Sequence, residues 1–496
     1  MNGREKSDSP IVPSKLPNKA DNHAAEAMEG RGLAKRNATE ASTHRTQGRE
    51  SVSPGLDRVR EVAKRDKTAR FTALLHHVTP ALLRIAFYAI NRRGAPGVDG
   101  VTWKDYRKHL EDNLSDLFSR VHRGAYRATP SRRAYIPKAD GRQRPLGVAT
   151  LEDKIIQGAI AIVMNAIYEA DFLGFSYGFR QGRGCHDALD SLCVGLQRKK
   201  VNWVLDADIR GFFDALNHEV LMKFLEHRIA DERVLRLIRK WLKTGVLEDG
   251  VVTASEVGTP QGATISPLLA NIYLHYALDI WAHNWRQRHA RGDVIIVRYA
   301  DDFVIGFQHR AEAERFLGDL RVQLATVSLE LHPDKTRLIE FGRFAAEQRI
   351  KRGQAKPETF NFLGFTHICG KSKKGKFLLV RQTIAKRMRA KLQEIKQSLR
   401  QRWHQPVREI GDWLNRLLLG YYGYFAVPTN IDQLRGFRDA VTHLWFHAIR
   451  RRGQKCRYNW KRMDALAVRW LPRPKVLHDL PGIRFDARTQ GKSPVR

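Results

Sequence analysis

The sequence predicts a mixed α+β protein in which antiparallel strands precede a helical C-terminal part. Residues 202–209 alternate in polarity with the period of two that is typical of a β-strand. Residues 295–299 and 303–307 give two further strand patterns, separated by a tight turn. From about residue 381, apolar side chains instead recur at helical spacing. We therefore expect a sheet in the middle of the chain and helices after it.

Size and charge limit the class of protein. A chain of 496 residues is too long for one hydrophobic core, so we expect two or three domains. Its net charge of +35 indicates a polyanionic partner, either nucleic acid or an anionic membrane. No stretch approaches the roughly 18 apolar residues of a spanning helix, so no membrane partner is expected. The four cysteines form no Cys-x-x-Cys pair, which indicates reduced thiols in a cytosolic protein.

The N-terminal part contains two recognisable patterns. Residues 1–60 are polar and lack apolar periodicity, so we expect them to be disordered, with order beginning near Phe71. Residues 135–138 and 144–148 flank a turn-forming segment and predict a β-hairpin.

The carboxylates of the predicted strands are the first candidates for chemistry. Asp206 and Asp208 share one strand face, and two carboxylates are costly to bury unpaired. That face must therefore meet water or a cation. Asp301 and Asp302 lie in the turn between the next two strands. If the strands are neighbours, Asp208 and Asp301 converge at a site that suits Mg²⁺, which prefers carboxylate oxygens.

Several sequence blocks occur in the order of one known family. They are residues 94–100, 136–147, 175–188, 208–214, 259–262, 299–302, 331–336 and 362–365. On these blocks the chain resembles a reverse transcriptase, and the details are similar to group II intron-encoded reverse transcriptase/maturases. The resemblance implies a right-hand polymerase, with fingers and palm built on antiparallel sheet, plus an α-helical thumb/maturase domain.

The resemblance also implies domain boundaries. The expected segments are a disordered tail (1–60), an N-terminal extension and fingers (61–200), a palm (201–370), a thumb/maturase domain (371–450), and a basic C-terminal tail that is a candidate DNA-binding segment (451–496).

Catalytic roles follow from the same resemblance. Asp208, Asp301 and Asp302 would be catalytic and would hold two Mg²⁺ ions, with the backbone carbonyl of Ile209 as a further ligand. Two such ions about 4 Å apart suit an in-line transfer of a nucleotide to a 3′-hydroxyl. Phe213 would be a steric gate against the ribose 2′-hydroxyl; the alternative is packing at a helix start.

Nucleotide contacts are implied at four further positions. Lys138 and Arg144 would grip the triphosphate, and their alternative is a solvated basic hairpin. Gln261 would line the nucleotide and template site. Lys335 would contact or protonate pyrophosphate, although an ordinary surface lysine is nearly as good an interpretation.

The helical part carries the RNA-binding expectations. Residues 411–425 resemble the maturase region of the family, and the preceding stretch is strongly basic. The implied RNA-binding residues are Lys386, Arg387, Arg389, Trp413 and Tyr421. For the two aromatic residues, packing in a helix core is an equal alternative.

The function implied is an RNA-directed DNA polymerase encoded by a group II intron, also a maturase that binds intron RNA and assists splicing and retromobility. Expected partners are structured intron RNA, an RNA template with a DNA primer, dNTPs and target DNA, in a prokaryotic cytoplasm; oligomeric state is left open. The cysteine-poor C-terminal part indicates that the family's endonuclease module is absent. Alternatives are a retron, CRISPR-associated or diversity-generating reverse transcriptase, or a non-catalytic RNA-binding splicing factor.

Overall fold

The computed structural model describes residues 54–137, 143–248, 251–253, 258, 262–452 and 458–489. Within these ranges, helices and mostly antiparallel strands alternate up to residue 383, and helices alone follow. The predicted mixed architecture with antiparallel sheets is confirmed.

Helices lead into the first sheet. They are α1 (Pro54–Arg65), α2 (Pro80–Ala89), α3 (Trp103–Lys108) and α4 (Leu110–His122). Helix α1 is held by its buried side, formed by Leu56, Val59 and Ala63. The prediction of disorder is therefore wrong for residues 54–60, because these apolar side chains recur at helical spacing and find a core. Residues 1–53 lie outside the described part of the chain.

A hairpin and two helices follow. They are β1 (Ser131–Pro137), β2 (Gln143–Val148), α5 (Leu151–Asp171) and α6 (Cys185–Arg198). Strands β1 and β2 pair antiparallel, as predicted. The Thr150 side chain accepts a hydrogen bond from the Asp153 backbone N–H and so caps α5. Helices α1 and α2 both pack on α5.

The next segment begins a second, central sheet with β3 (Trp203–Asp208) and extends the first sheet with β4 (Val246–Glu248) and β5 (Val251–Thr253). Between β3 and β4 lie α7 (Phe212–Ala215), α8 (His218–Glu226) and α9 (Glu232–Lys243). Strand β4 pairs parallel to β1, so the first sheet has the order β2-β1-β4-β5.

The central sheet is completed by later strands. The elements are α10 (Ser266–Leu274), a π-helical segment (His275–Asp279), α11 (Ile280–His289), β6 (Val294–Tyr299), β7 (Asp302–Phe307), α12 (Arg310–Thr326) and β8 (Arg337–Glu340). The strand order is β6-β7-β3-β8, and every pairing is antiparallel.

The central sheet is buried on both faces. Leu205 and Ile305 belong to the larger core, which also contains Phe316 of α12. Val204 and Val304 face the second core. The Asp208 and Asp302 carboxylates lie at the end of the sheet, where β3 stops and β7 begins.

The remaining elements form a small sheet and a helical unit. They are α13 (Ala345–Lys351), β9 (Phe360–Phe362), β10 (Phe365–Lys371), β11 (Phe377–Thr383), α14 (Ala385–Gln401), α15 (Val407–Phe425), α16 (Ile431–Arg450), α17 (Trp460–Trp470) and α18 (Pro481–Thr489). Helices α14 to α17 share a third core. None of the helices described is long and apolar enough to cross a membrane.

Helix α18 returns to the first half of the chain and packs on α6. Arg484 forms an ion pair with Asp190 (Nε–Oδ2, 2.9 Å), and Arg198 of α6 forms one with Asp486 (Nη2–Oδ2, 2.7 Å). The expected basic tail, 451–496, therefore contains a helix bound to the protein itself, and part of its positive charge is used there.

Candidate active site

The end of the central sheet brings the predicted carboxylates together. Asp208, the last residue of β3, stands directly opposite Asp302, the first residue of β7. Opposite residues of an antiparallel pair project from the same face, so these two carboxylates share one face. Asp301 precedes Asp302 in the turn. The strands that had to be neighbours for a site to form are neighbours.

The turn between β6 and β7 has an unusual backbone. Tyr299 pairs with Asp302, so Ala300 and Asp301 are the two turn residues. The expectation that Asp302 also lies in the turn is wrong, because it already pairs as the first residue of β7. Ala300 has a φ of 56°, in the left-handed region. This conformation costs a residue with a Cβ about 1–2 kcal/mol, so contacts from outside the turn must hold it.

Side-chain cations stand at both carboxylates of β3. Lys335 forms an ion pair with Asp208, and Arg337 contacts Asp206 (Nη2–Oδ2, 3.4 Å). Burial raises the pKa of Asp206 to about 6, and the Arg337 guanidinium opposes that shift. The expectation that this face meets a cation is therefore met, in this structure, by the protein's own side chains.

The carboxylates at the end of the central sheet are oxygen donors of the kind that divalent ions prefer. Among the residues described, no three acidic, histidine or cysteine side chains converge as a metal site. Asp208 and Asp302 supply hard oxygen donors on one face, and Asp208 already binds an ammonium group. A cation is thus favoured at the point where the metal ligands are expected.

Removing the Lys335 ammonium group tests this competition. Lys335→Ala is expected to tighten Mn²⁺ binding to the protein without nucleic acid by about two- to five-fold. This is the change in affinity that corresponds to the loss of an exposed ion pair worth up to about 1 kcal/mol. Mn²⁺ titration followed by electron paramagnetic resonance measures the affinity, and Lys351→Ala, an exposed lysine on α13, is the control. Equal affinities in the wild type and both variants would contradict the competition.

The backbone after Asp208 continues as a short bridge. His332 N–H donates to the Asp208 carbonyl (2.8 Å), and Arg210 N–H donates to the Glu330 carbonyl (2.8 Å). Ile209 lies between these bonds, opposite Leu331. In such a pair the backbone groups of the central residue point away from the partner strand. The Ile209 carbonyl is therefore not used in this bridge, as a ligand role requires.

Phe213 stands at the start of α7, close after Asp208. Its ring is half-buried and meets the buried Phe212 ring edge-on, with centroids 5.3 Å apart. Gly258 has a φ of +91°, and a Cβ there would lie 3.1 Å from the Phe213 carbonyl oxygen. Gly258 therefore lies directly beside the backbone of the predicted gate.

The predicted nucleotide contacts fall largely outside the described residues. Lys138 and Gln261 lie outside them, and Arg144 is described only by its backbone, which pairs with Ile136. Gly262 has a φ of +113°, and a Cβ there would lie 2.8 Å from the Gly147 carbonyl oxygen. The residue that follows Gln261 thus lies against the predicted triphosphate hairpin.

The basic residues predicted to bind RNA lie on α14. Lys386, Arg387 and Arg389 are all exposed there. Only one intrahelical ion pair is recorded on this helix in the described chain, between Lys391 and Glu394 (2.8 Å). The three predicted cations are therefore placed to meet a polyanion.

The two aromatic residues on α15 differ in their surroundings. The Arg402 guanidinium lies 5.1 Å from the Trp413 ring centroid, beside a polar cavity that Trp413 and Arg416 help to line. The Tyr421 ring stacks on Phe437, with centroids 4.0 Å apart. Burial also raises the pKa of the Tyr421 hydroxyl. The packing alternative is therefore favoured for Tyr421, whereas Trp413 keeps a polar setting.

Two arginines near the carboxylates received no role from the sequence. Arg337 pairs with Asp206, and Arg298 is fully buried one residue before Tyr299. The sequence does indicate that Arg298 has a buried partner, because a charge inside the apolar strand 294–299 is costly unless it is paired. No pattern in the sequence indicates which carboxylate that partner is.

Comparison with known proteins agrees with this geometry. The family described as "Reverse transcriptase (RNA-dependent DNA polymerase)" matches residues 136–367, which include the whole carboxylate site. The chain is also 34% identical to Protein YkfC of Escherichia coli (strain K12) over 313 residues, covering 56% of this chain and 81% of YkfC. This chain belongs to the reverse transcriptase family. Fingers and palm are the parts of the polymerase fold that this family assignment implies.

Two further relatives concern introns. This reverse transcriptase is 33% identical over 222 residues to the group II intron-encoded protein LtrA of Lactococcus lactis subsp. cremoris, covering 44% of this chain and 37% of LtrA. It is 40% identical over 173 residues to an uncharacterized 91 kDa protein in a cob intron of Schizosaccharomyces pombe, covering 35% of this chain and 21% of that protein. The resemblance to group II intron-encoded reverse transcriptases is confirmed, and the chain spans well under half of these two relatives.

Proposed function

We propose that this chain copies RNA into DNA and acts as the maturase of a group II intron. The observation that supports polymerisation most is the register of Asp208 opposite Asp302, with Asp301 in the adjoining turn. An RNA-binding splicing factor without catalysis would have no need of this arrangement. The intron-encoded relatives support a group II origin over a retron, CRISPR-associated or diversity-generating enzyme.

The site residues divide the work of nucleotide transfer. Asp208, Asp301 and Asp302 would hold the divalent ions, with the Ile209 carbonyl as a further ligand. Bound Mg²⁺ would supply activation of the 3′-hydroxyl and charge neutralisation on the pyrophosphate. Phe213 would exclude the ribose 2′-hydroxyl by its bulk.

The charged and polar side chains around the carboxylates would bind the nucleotide. Lys138 and Arg144 would bind the triphosphate, Arg144 as a two-pronged donor. Gln261 would line the site through its amide. Lys335 would leave Asp208 and contact the pyrophosphate when the nucleotide is bound, which its exposed side chain permits.

Residues 371–450, which include α14 to α16, would form the thumb/maturase domain. Their separate core supports a distinct unit, and the exposed cations of α14 would follow the phosphates of an RNA or RNA–DNA duplex. The partners we propose are structured intron RNA, an RNA template with a DNA primer, dNTPs and target DNA. A prokaryotic cytoplasmic location and residues 451–496 as a DNA-binding segment stay predictions.

Primer extension and splicing test the two halves of this function. The full chain, given an RNA template, a DNA primer, dNTPs and Mg²⁺, should extend the primer, and chelation of the metal should stop extension. Precursor RNA that contains the flanking intron should splice faster when the protein is added. A failure of extension with intact splicing would reject the polymerase, and the reverse result would reject the maturase.

Salt dependence tests the basic helix. Binding of intron RNA should weaken steeply with salt, because each phosphate contact releases counterions. A variant with Lys386, Arg387 and Arg389 all replaced by alanine should lower the slope of log affinity against log salt by about one for each lost contact. Filter binding over a range of KCl concentrations measures this slope.

The matched control removes the same charge from another surface. Arg310, Arg315 and Arg321 are exposed on α12, which packs against the larger-core face of the central sheet. Their replacement by alanine should leave the slope nearly unchanged. Equal losses in both triple variants would mean that total charge, and not the α14 surface, binds the RNA.

A further inference from the structure

Strand β6 carries a buried charge immediately before the catalytic turn. Arg298 is 0% exposed, and the rest of the strand is apolar apart from the Tyr299 hydroxyl. A buried charge is very costly unless it is paired and fully hydrogen-bonded. The hydrogen-bond acceptors of this guanidinium therefore show which parts of the structure it stabilises.

The guanidinium of Arg298 is fully bonded by four residues. It donates to both carboxylate oxygens of Asp279, from Nε (2.7 Å) and from Nη2 (2.6 Å). Nη2 also donates to Ser176 Oγ (2.6 Å), and Nη1 donates to Asn271 Oδ1 (3.2 Å). The remaining bond runs from Nη1 to the backbone carbonyl of Ala300 (2.9 Å). Each of its N–H groups thus has an acceptor.

The Ala300 carbonyl belongs to the peptide that leads into Asp301. Peptide groups are planar, so a bond to this oxygen fixes the orientation of the whole Ala300–Asp301 link. The left-handed backbone of Ala300 is unfavourable on its own. Arg298 therefore stabilises the conformation from which the carboxylate of Asp301 projects.

A second contact holds the other side of the turn. A Cβ on Gly178 would lie 2.3 Å from the Ala300 nitrogen, so only glycine allows this approach. Asn271 Nδ2 donates to the Gly178 carbonyl (2.6 Å), while its Oδ1 accepts from Arg298. One asparagine side chain thus links both restraints on Ala300.

We propose that Arg298, fixed by Asp279, Ser176 and Asn271, is a positioning residue that sets the place of the Asp301 and Asp302 carboxylates for polymerisation. The proposal rests on the polymerase function proposed above. Asp279 is the last residue of the π-helical segment, a kind of irregularity that is frequent at functional sites. A displacement of about 1 Å in a catalytic group can cost on the order of 100-fold in rate.

Arg298→Lys is the direct test. A lysine can keep a contact with Asp279. Its single ammonium group cannot also donate to the Ala300 carbonyl, which the planar guanidinium reaches from a second nitrogen. We expect the single-turnover extension rate at saturating dNTP to fall by about 10- to 100-fold. Affinity for the template–primer should be unchanged, and more Mg²⁺ should be needed for half-maximal rate. Ser176→Ala, which removes one hydroxyl, should give a smaller loss of the same kind.

Arg228 provides the matched control. It is 2% exposed, pairs with Asp171 (Nε–Oδ2, 3.0 Å), and donates to the carbonyls of Asp66 and Ala69 (3.0 Å each). Arg228→Lys and Arg298→Lys should both lower the melting temperature, but Arg228→Lys should leave the extension rate of the folded protein unchanged.

The outcomes separate the two proposals. If Asp301→Ala extends primers as the wild type does, the proposed function fails, whatever Arg298 does. If Asp301→Ala is inactive, but Arg298→Lys and Ser176→Ala keep the wild-type rate and metal requirement, positioning is overturned and the network is structural only. If Arg298→Lys is insoluble, Ser176→Ala alone decides between these results by its rate and metal requirement.

Discussion

Asp301→Ala is expected to abolish cDNA synthesis while RNA-stimulated splicing continues. Loss of a single pre-placed electrostatic group in an active site costs about 100- to 1000-fold, and a metal-binding carboxylate should cost at least as much. Splicing should persist because Asp301 is proposed to bind metal, whereas the residues proposed to bind RNA lie on α14 and α15. Primer extension and precursor splicing, measured on the same preparation, provide the two readouts.

The control for Asp301→Ala is a carboxylate with no proposed role. Asp112 is exposed on α4, and Asp112→Ala should leave both activities at the wild-type level. If Asp301→Ala lost splicing together with synthesis, the two functions would not be separable, and the division of labour between palm and helical domain would be wrong.

Phe213→Val is expected to admit ribonucleotides. The ring is half-buried five residues after Asp208, and a smaller side chain leaves room for a 2′-hydroxyl. A discrimination that rests on one steric contact is worth about 10- to 200-fold in relative kcat/KM, so the preference for dNTP over rNTP should fall by that order. Competitive single-nucleotide incorporation measures the preference directly.

The neighbouring phenylalanine separates gating from packing. Phe212 lies in the larger core and is 3% exposed. Phe212→Leu should lower stability by about 1 kcal/mol through altered packing and leave sugar discrimination unchanged. The gate is rejected if Phe213→Val discriminates as the wild type does, and packing is the better account if both variants lose only stability.

Much of the sheet could be predicted because its signals are local. Strand β3 shows an alternating pattern, and β6 and β7 are apolar runs around a two-residue turn. Helix α1 was missed because its apolar residues are few and separated by charge, and it is stabilised chiefly by packing on α5. The parallel pairing of β4 with β1 was missed for a similar reason, since three-residue strands carry little pattern.

The carboxylates of the candidate site could be predicted from the sequence, but the side chains that support them could not. Asp208 could be placed at a strand end because its strand alternates in polarity, and that strand does neighbour the strand after the turn. Asp302 was expected in the turn but begins β7, because a two-residue turn is enough to reverse the chain. The network around Arg298 could not be derived, because its acceptors come from sequence positions up to 122 residues away. Sequence periodicity carries no information on contacts between such distant positions, and only folding brings these residues together.

Helix α18 has a consequence for the order in which this protein can mature. Burial raises the pKa of Asp190 to about 6, even though Arg381 and Arg484 both face it. Arg488 pairs with Asp187, 301 positions earlier in the chain. A ribosome that has made α6 must continue almost to residue 490 before these acids meet all their partners. Final consolidation of this region therefore waits until α18 has been made, and chains that end before α18 keep a weakened α6.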